Sequence, residues 1–173
     1  IKTITAVFLV ALLIILYVWK QFKLLKFGVC AVLAMFHDSL ILLGSFSLLG
    51  HFYGVEVDVL FVTALLTTLS FSIHDTIVIY DRIRELIQKH PKLDFEETAN
   101  LAVWETLVRS INNSITIFIT LAALVLLGGE SIRWFATALL IGAVSGTYSS
   151  TFVAVPLLLV WDELKVKLAK AKK

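Results

Sequence analysis

The sequence predicts an all-α membrane protein built as a bundle of five transmembrane helices. Three observations carry this expectation. The 173 residues are 59% hydrophobic and 16% charged, against ~45–50% and ~25% in soluble domains. The apolar residues gather in blocks of about 20, the length that crosses a hydrocarbon core of roughly 30 Å at 1.5 Å per residue. The lysines and arginines also divide unevenly between alternate connectors.

In chain order the blocks are 1–19, 27–49, 59–80, 106–127 and 134–161. With no water to satisfy backbone amides inside lipid, each block is expected to be helical. The first is too long for a signal-peptide core and has no cleavage site after it. It opens at Ile1 without an initiator Met, which suggests a preceding segment in the native protein or a trimmed chain. Connector 20–26 is basic, 51–58 holds Glu56 and Asp58 without Lys or Arg, and 128–133 is a turn. The long connector 82–105 is expected to be partly helical. Pro91 interrupts it, and Asp94 with Glu97 resembles a capping box that opens a new helix through Ala99, Ala102 and Trp104. An ordinary solvated connector helix is the simpler reading of this stretch, an interfacial helix the alternative.

Orientation follows from the basic residues. Lys20, Lys23, Lys26, Arg82, Arg84, Lys89, Lys92, Arg109 and the five tail lysines fall on one side, thirteen of the fifteen, leaving Lys2 and Arg133 on the other. The positive-inside rule puts the rich side in the cytoplasm, with the N-terminus outside and the C-terminus inside. Net charge is only +2, so placement, not total charge, decides. The lysine tail is read as a topology signal that also suits anionic lipid; no nucleic-acid partner is expected. The lone Cys30 allows no intrachain disulfide.

Polar residues inside the blocks are informative because a central charge costs ~2.5–3.5 kcal/mol on insertion scales and normally faces a bundle interior or a wet cavity. The second block holds His37 and Asp38, the third Ser72, His74, Asp75 and Thr76, and the fourth Arg109, Asn112, Asn113 and Ser114. Asp75 and Arg109 fall at similar depth on adjacent spans, which invites pairing. That pair reads either as a fixed ion pair between helices or as a titrating carboxylate in a proton path. For His37 and Asp38 the simpler reading is satisfied interior polar groups. In the fifth block Ala138, Gly142, Gly146 and Ser150 recur every four residues, a stripe for close helix packing. There is no phosphate loop, HExxH, CxxC or nucleophile elbow. Enzymatic activity, a metal and a cofactor are therefore not expected.

The run SIHDTIVIYDRIRE, 72–85, resembles the signature S-x-N-D-T-I-V-V-F-D-R-I-R-E of SecF, the family of membrane subunits accessory to the Sec translocon. MFHDSLI at 35–41, GVEVD at 54–58, TLVRSINNSIT at 106–116 and LLIGAVSGTYSS at 139–150 follow in the family's order. The D-A-N-V-L-I-F-E-R-I pattern of the sister family SecD is not met at 75–83. His74 replaces the family's Asn, and Asn113 stands where it has Thr.

The resemblance implies half of a resistance-nodulation-division-type fold. It matches spans two to six of six, without the first span and the extracytoplasmic domain. It further implies an auxiliary role in the bacterial inner membrane, where SecD and SecF use the proton-motive force to draw preproteins from SecYEG. By motif position Asp75 and Arg109 correspond to proton-pathway residues, with His74 beside them. Two alternatives come from other classes: half of a proton-coupled small-molecule or lipid exporter of the same superfamily, and a membrane scaffold without transport activity.

Overall fold

The polypeptide punctuates itself where helices must stop. Gly54 takes the left-handed backbone, φ 67°, that a side chain resists. Its amide closes onto the Gly50 carbonyl at 3.0 Å to end the first helix. Asp58 then caps the next one by accepting the Phe61 amide at 2.8 Å. After the turn containing Pro91, Asp94 caps a third helix through the Phe95 amide at 2.8 Å. Gly128 ends that helix, where an added Cβ would sit 2.2 Å from the Leu124 carbonyl oxygen.

The computed structural model describes residues 25–171 and, ahead of them, Thr5, Leu9, Leu12, Leu13 and Leu16. Apart from those five residues, the expected first span 1–19 lies outside the described residues. The described helices are α1 (Leu25–Tyr53), α2 (Val59–Lys89), α3 (Phe95–Leu127), α4 (Glu130–Ser149) and α5 (Val155–Ala171). A π-helical turn, Ser150–Ala154, joins α4 to α5. Among the described residues, four stretches are long and apolar enough to cross a membrane: Lys26–Tyr53, Val59–Lys89, Phe95–Leu127 and Glu130–Lys165.

Two features depart from the simplest expectation. The connector 82–105 is no separate helix, because α2 continues to Lys89 and α3 begins at Phe95. Ala99 and Ala102 are fully buried while Trp104 is 72% exposed, so this stretch packs one small-residue face against the bundle. The π turn has a local cause. Pro156 lacks the N–H that would bond the Phe152 carbonyl, and its ring crowds that carbonyl, so the helix widens just ahead of it.

α4 is the central helix, packed against α1, α2 and α3. α2 comes against the glycines of α4: a Cβ at Gly142 would meet Thr68 Cγ2 at 2.1 Å, and one at Gly146 would meet Ser72 Cα at 3.1 Å. Many hydroxyls in the spans bond back to a carbonyl one turn earlier. Thr63, Thr67, Thr76, Thr106, Thr116, Thr120, Thr137 and Thr147 all do so at 2.8–3.1 Å. This is how an apolar helix accommodates a polar side chain without a partner helix.

Candidate functional site

Two apolar clusters sandwich a polar layer. One cluster joins Phe27, Ile83, Leu86, Ala102 and Leu158, and the other joins Leu42, Phe46, Phe61, Leu65 and Leu139. Between them, in sequence and therefore along each helix, lie Asp38 on α1, Thr68, Ser72 and Thr76 on α2, and Ser145 and Ser149 on α4, all buried.

Asp38 is the hub of this layer, only 4% exposed. Its Oδ2 accepts the Ser72 hydroxyl at 2.5 Å and the Ser149 hydroxyl at 2.6 Å. Its Oδ1 accepts the Ser145 hydroxyl at 2.8 Å and lies 3.2 Å from His37 Nδ1. Desolvating a carboxylate costs several kcal/mol, while each hydrogen bond to a charged group returns roughly 1.5–3 kcal/mol. Three hydroxyls from two helices offset that penalty and tie α1 to α2 and α4 through a single side chain. No buried side-chain nitrogen or oxygen among the described residues lacks a partner.

Asp75 faces the other way, toward α3. It is half-buried, and its Oδ2 accepts the Ser110 hydroxyl at 3.3 Å. Asp75, His74, Val78, Thr106, Arg109 and Asn113 are among the residues lining a cleft of about 310 Å³ between α2 and α3. The acid and the base of the sequence reading thus share one cleft. Among the described residues, however, no ion pair within 4 Å joins them. Ser110 follows Arg109 by one residue, about 100° round the helix, and it is Ser110 that turns to the carboxylate, while Arg109 is exposed.

The cleft continues in both directions. Toward the loop between α2 and α3, Val78, Thr106 and Arg109 are shared with a recess of about 350 Å³ that also touches Asp81, Arg82, Glu85 and Glu105. There Arg82 bonds Glu105 at 2.5 Å and also pairs with Glu85. Inward, His74, Asp75 and Asn113 are shared with a small cavity of about 30 Å³, reaching Ser114, Gly146 and Thr147. The hydroxyls of Ser114 and Thr147 are bonded at 2.8 Å. At the same end as Arg82, Lys26 pairs with Asp162 at 2.9 Å and lies 4.3 Å from the centre of the Phe95 ring.

Of the other residues singled out from sequence, Asn112 is exposed and its carbonyl takes the Thr116 hydroxyl. The sequence reading did not single out Ser110, Ser145 or Ser149. The signal for the last two was present. They stand four apart, one position before Gly146 and Ser150, so they form a neighbouring stripe rotated about 100° from the small-residue face. That rotation turns them from α2 toward α1.

Comparison with known proteins places this geometry. Residues 1–164 match the sequence profile of the family described as "Protein export membrane protein SecD/SecF, C-terminal". The chain is 48% identical over 165 residues to the protein translocase subunit SecF of Thermobaculum terrenum, covering 93% of this chain and 52% of that protein. It is 44% identical over 162 residues to the SecF of Anaerolinea thermophila, covering 91% and 53%. It therefore spans about half the length of the curated relatives it matches. A crystal structure of SecDF in its super-membrane-facing form superposes with a TM-score of 0.89 at 37% identity, covering 98% of this chain and 22% of that one. A Thermus SecDF, described as a translocon-associated membrane protein, gives 0.86 at 38% identity, covering 93% and 22%. With the family profile matched over residues 1–164 and the same bundle in both solved structures, the chain belongs to the SecD/SecF protein-export family, and within it to SecF.

Proposed function

We propose that the chain forms the membrane part of an auxiliary subunit of the Sec protein translocase, which uses the proton-motive force to assist export of preproteins. It works with SecD and with SecYEG in the bacterial inner membrane, and it is not an enzyme. In this reading five spans cross the bilayer, with 1–19 as the first, the N-terminus outside, and the lysine-rich end with Arg82, Lys26 and the tail in the cytoplasm.

The observation that carries the reading is the cleft that Asp75 and Arg109 share. A carboxylate beside a guanidinium stays ionised; moved away from it into an apolar wall, it takes up a proton. Two helix arrangements are thereby linked to two protonation states of Asp75. The recess at Arg82 and Glu105 supports proton exchange with the cytoplasm, and His74 is placed to pass a proton along the cleft wall.

The test is export of a reporter preprotein by the full-length protein with SecD and SecYEG, in vesicles with an imposed proton gradient. Asp75→Asn is expected to abolish the gradient-dependent part while the subunit still inserts and assembles. Full gradient-dependent export by Asp75→Asn would leave the cleft without a role in proton coupling.

A further inference from the structure

We propose that His37 and Asp38 form a second proton-binding site inside the bundle, separate from Asp75. This goes beyond the function proposed above, and its role in export rests on that reading; the binding of the proton does not.

The serine cage satisfies only part of the carboxylate. Ser72 and Ser149 donate to Oδ2 and Ser145 donates to Oδ1, which leaves Oδ1 facing His37 Nδ1 at 3.2 Å. With the proton on the imidazole, Nδ1–H donates to the carboxylate. With the proton transferred, Oδ1–H donates back to Nδ1 and the imidazole is neutral. One N–H bond breaks and one O–H bond forms along the same contact, and all three serine hydrogen bonds persist in both states. A carboxylate serving only as an anchor needs no partner of this kind, since the three hydroxyls already tie it to α2 and α4.

The imidazole also leads out of the cage. Asp38 is 4% exposed, but the His37 side chain is 37% exposed. The imidazole therefore reaches from the buried carboxylate to the outer face of α1, and it is the one contact of Asp38 that extends beyond the serine cage.

The surroundings keep the pair isolated. From α2 the neighbouring polar groups are Ser72, Thr68 and Thr76, and from α4 they are Ser145 and Ser149, none of which titrates near neutral pH. His37 is the only ion-pair partner of Asp38 among the described residues. His74, Asp75 and Arg109 line the separate cleft against α3.

The experiment is infrared difference spectroscopy between low and high pH on the full chain, assembled with its SecD-type partner in membranes. A protonated carboxyl band is expected that is lost in Asp38→Asn, shifted in frequency in Ser149→Ala, and displaced in the pH at which it appears in His37→Gln. The same band must persist in Asp75→Asn. No carboxyl band sensitive to any of these changes at 37, 38 or 149 overturns the proposal. Should Asp38→Asn fail to insert, Ser149→Ala, which removes one hydroxyl, decides alone. Gradient-driven export is measured in parallel. A band at Asp38 in a protein whose export ignores Asp75→Asn would sink the proposed function and leave this site standing, and the converse result would do the reverse.

Discussion

The Tyr80 hydroxyl donates to the Ala154 carbonyl at 2.8 Å, joining α2 to the π turn ahead of α5. The phenol is fully buried, and Ala154 is the last residue of the widened turn before Pro156. Phe27 packs edge-on against the same ring at 5.2 Å, so α1 joins the contact.

Tyr80→Phe should therefore cost more than a surface hydrogen bond. It removes one buried hydrogen bond between α2 and the π turn, a loss of roughly 0.5–1.5 kcal/mol. A thermal melt in mild detergent should show a drop in midpoint, and an unchanged midpoint would mean that this bond adds nothing to the stability of the bundle.

The glycines of α4 predict an order of severity. At Gly142 an added Cβ meets both Thr68 Cγ2 at 2.1 Å and Thr68 Cβ at 2.5 Å, whereas at Gly146 the nearest approach is 3.1 Å. Thr68 Cβ is fixed to the backbone, so rotating the side chain does not relieve the clash at Gly142. Gly142→Ala should destabilise by roughly 1–3 kcal/mol, the usual cost of overpacking, and Gly146→Ala by less. The comparison is made by melting temperature and by yield of assembled protein; equal tolerance of both would show that α2 and α4 separate easily.

For the cleft, Arg109→Lys keeps the charge but loses the planar fork, and should lower gradient-driven export without abolishing it. Ser110→Ala removes the one hydroxyl that Asp75 accepts in this arrangement and should alter the pH dependence of export more than its maximum. Rates measured across a pH series distinguish the two effects. Identical profiles for Ser110→Ala and the parent would remove Ser110 from the site.

Topology is tested directly. Cysteines at Tyr53 or Ser131 should react with an impermeant thiol reagent added outside intact cells, and those at Lys92 or Lys170 should not. Labelling at Lys92 from outside would reverse the assigned orientation.

Composition and block length made the helices legible, because lipid imposes a length on every span. Asp94 marked the start of α3 in the sequence, whereas the end-marking roles of Gly54, Asp58 and Gly128 emerged only with the structure. The cleft was half legible. Charges at one depth pointed to Asp75 and Arg109, but depth says nothing of rotation, so Ser110 and not Arg109 supplies the hydrogen bond. The cage around Asp38 was the least visible part. A serine in an apolar span ordinarily bonds its own helix, and only the three-dimensional crossing of α1, α2 and α4 turns Ser72, Ser145 and Ser149 onto one carboxylate.

Among the described spans, the helix that bears Arg109 turns the largest share of its apolar stretch outward. In its most apolar stretch 6% of residues are buried, against 39% to 50% in the other three, and Val108, Ile111, Ile115 and Ile119 all point outward. Lipid tails are as apolar as these side chains, so a tilt of α3 trades one greasy neighbour for another at little cost. Asp75 is borne by a helix packed among α1, α3 and α4, and Arg109 by one whose outer wall slides against lipid.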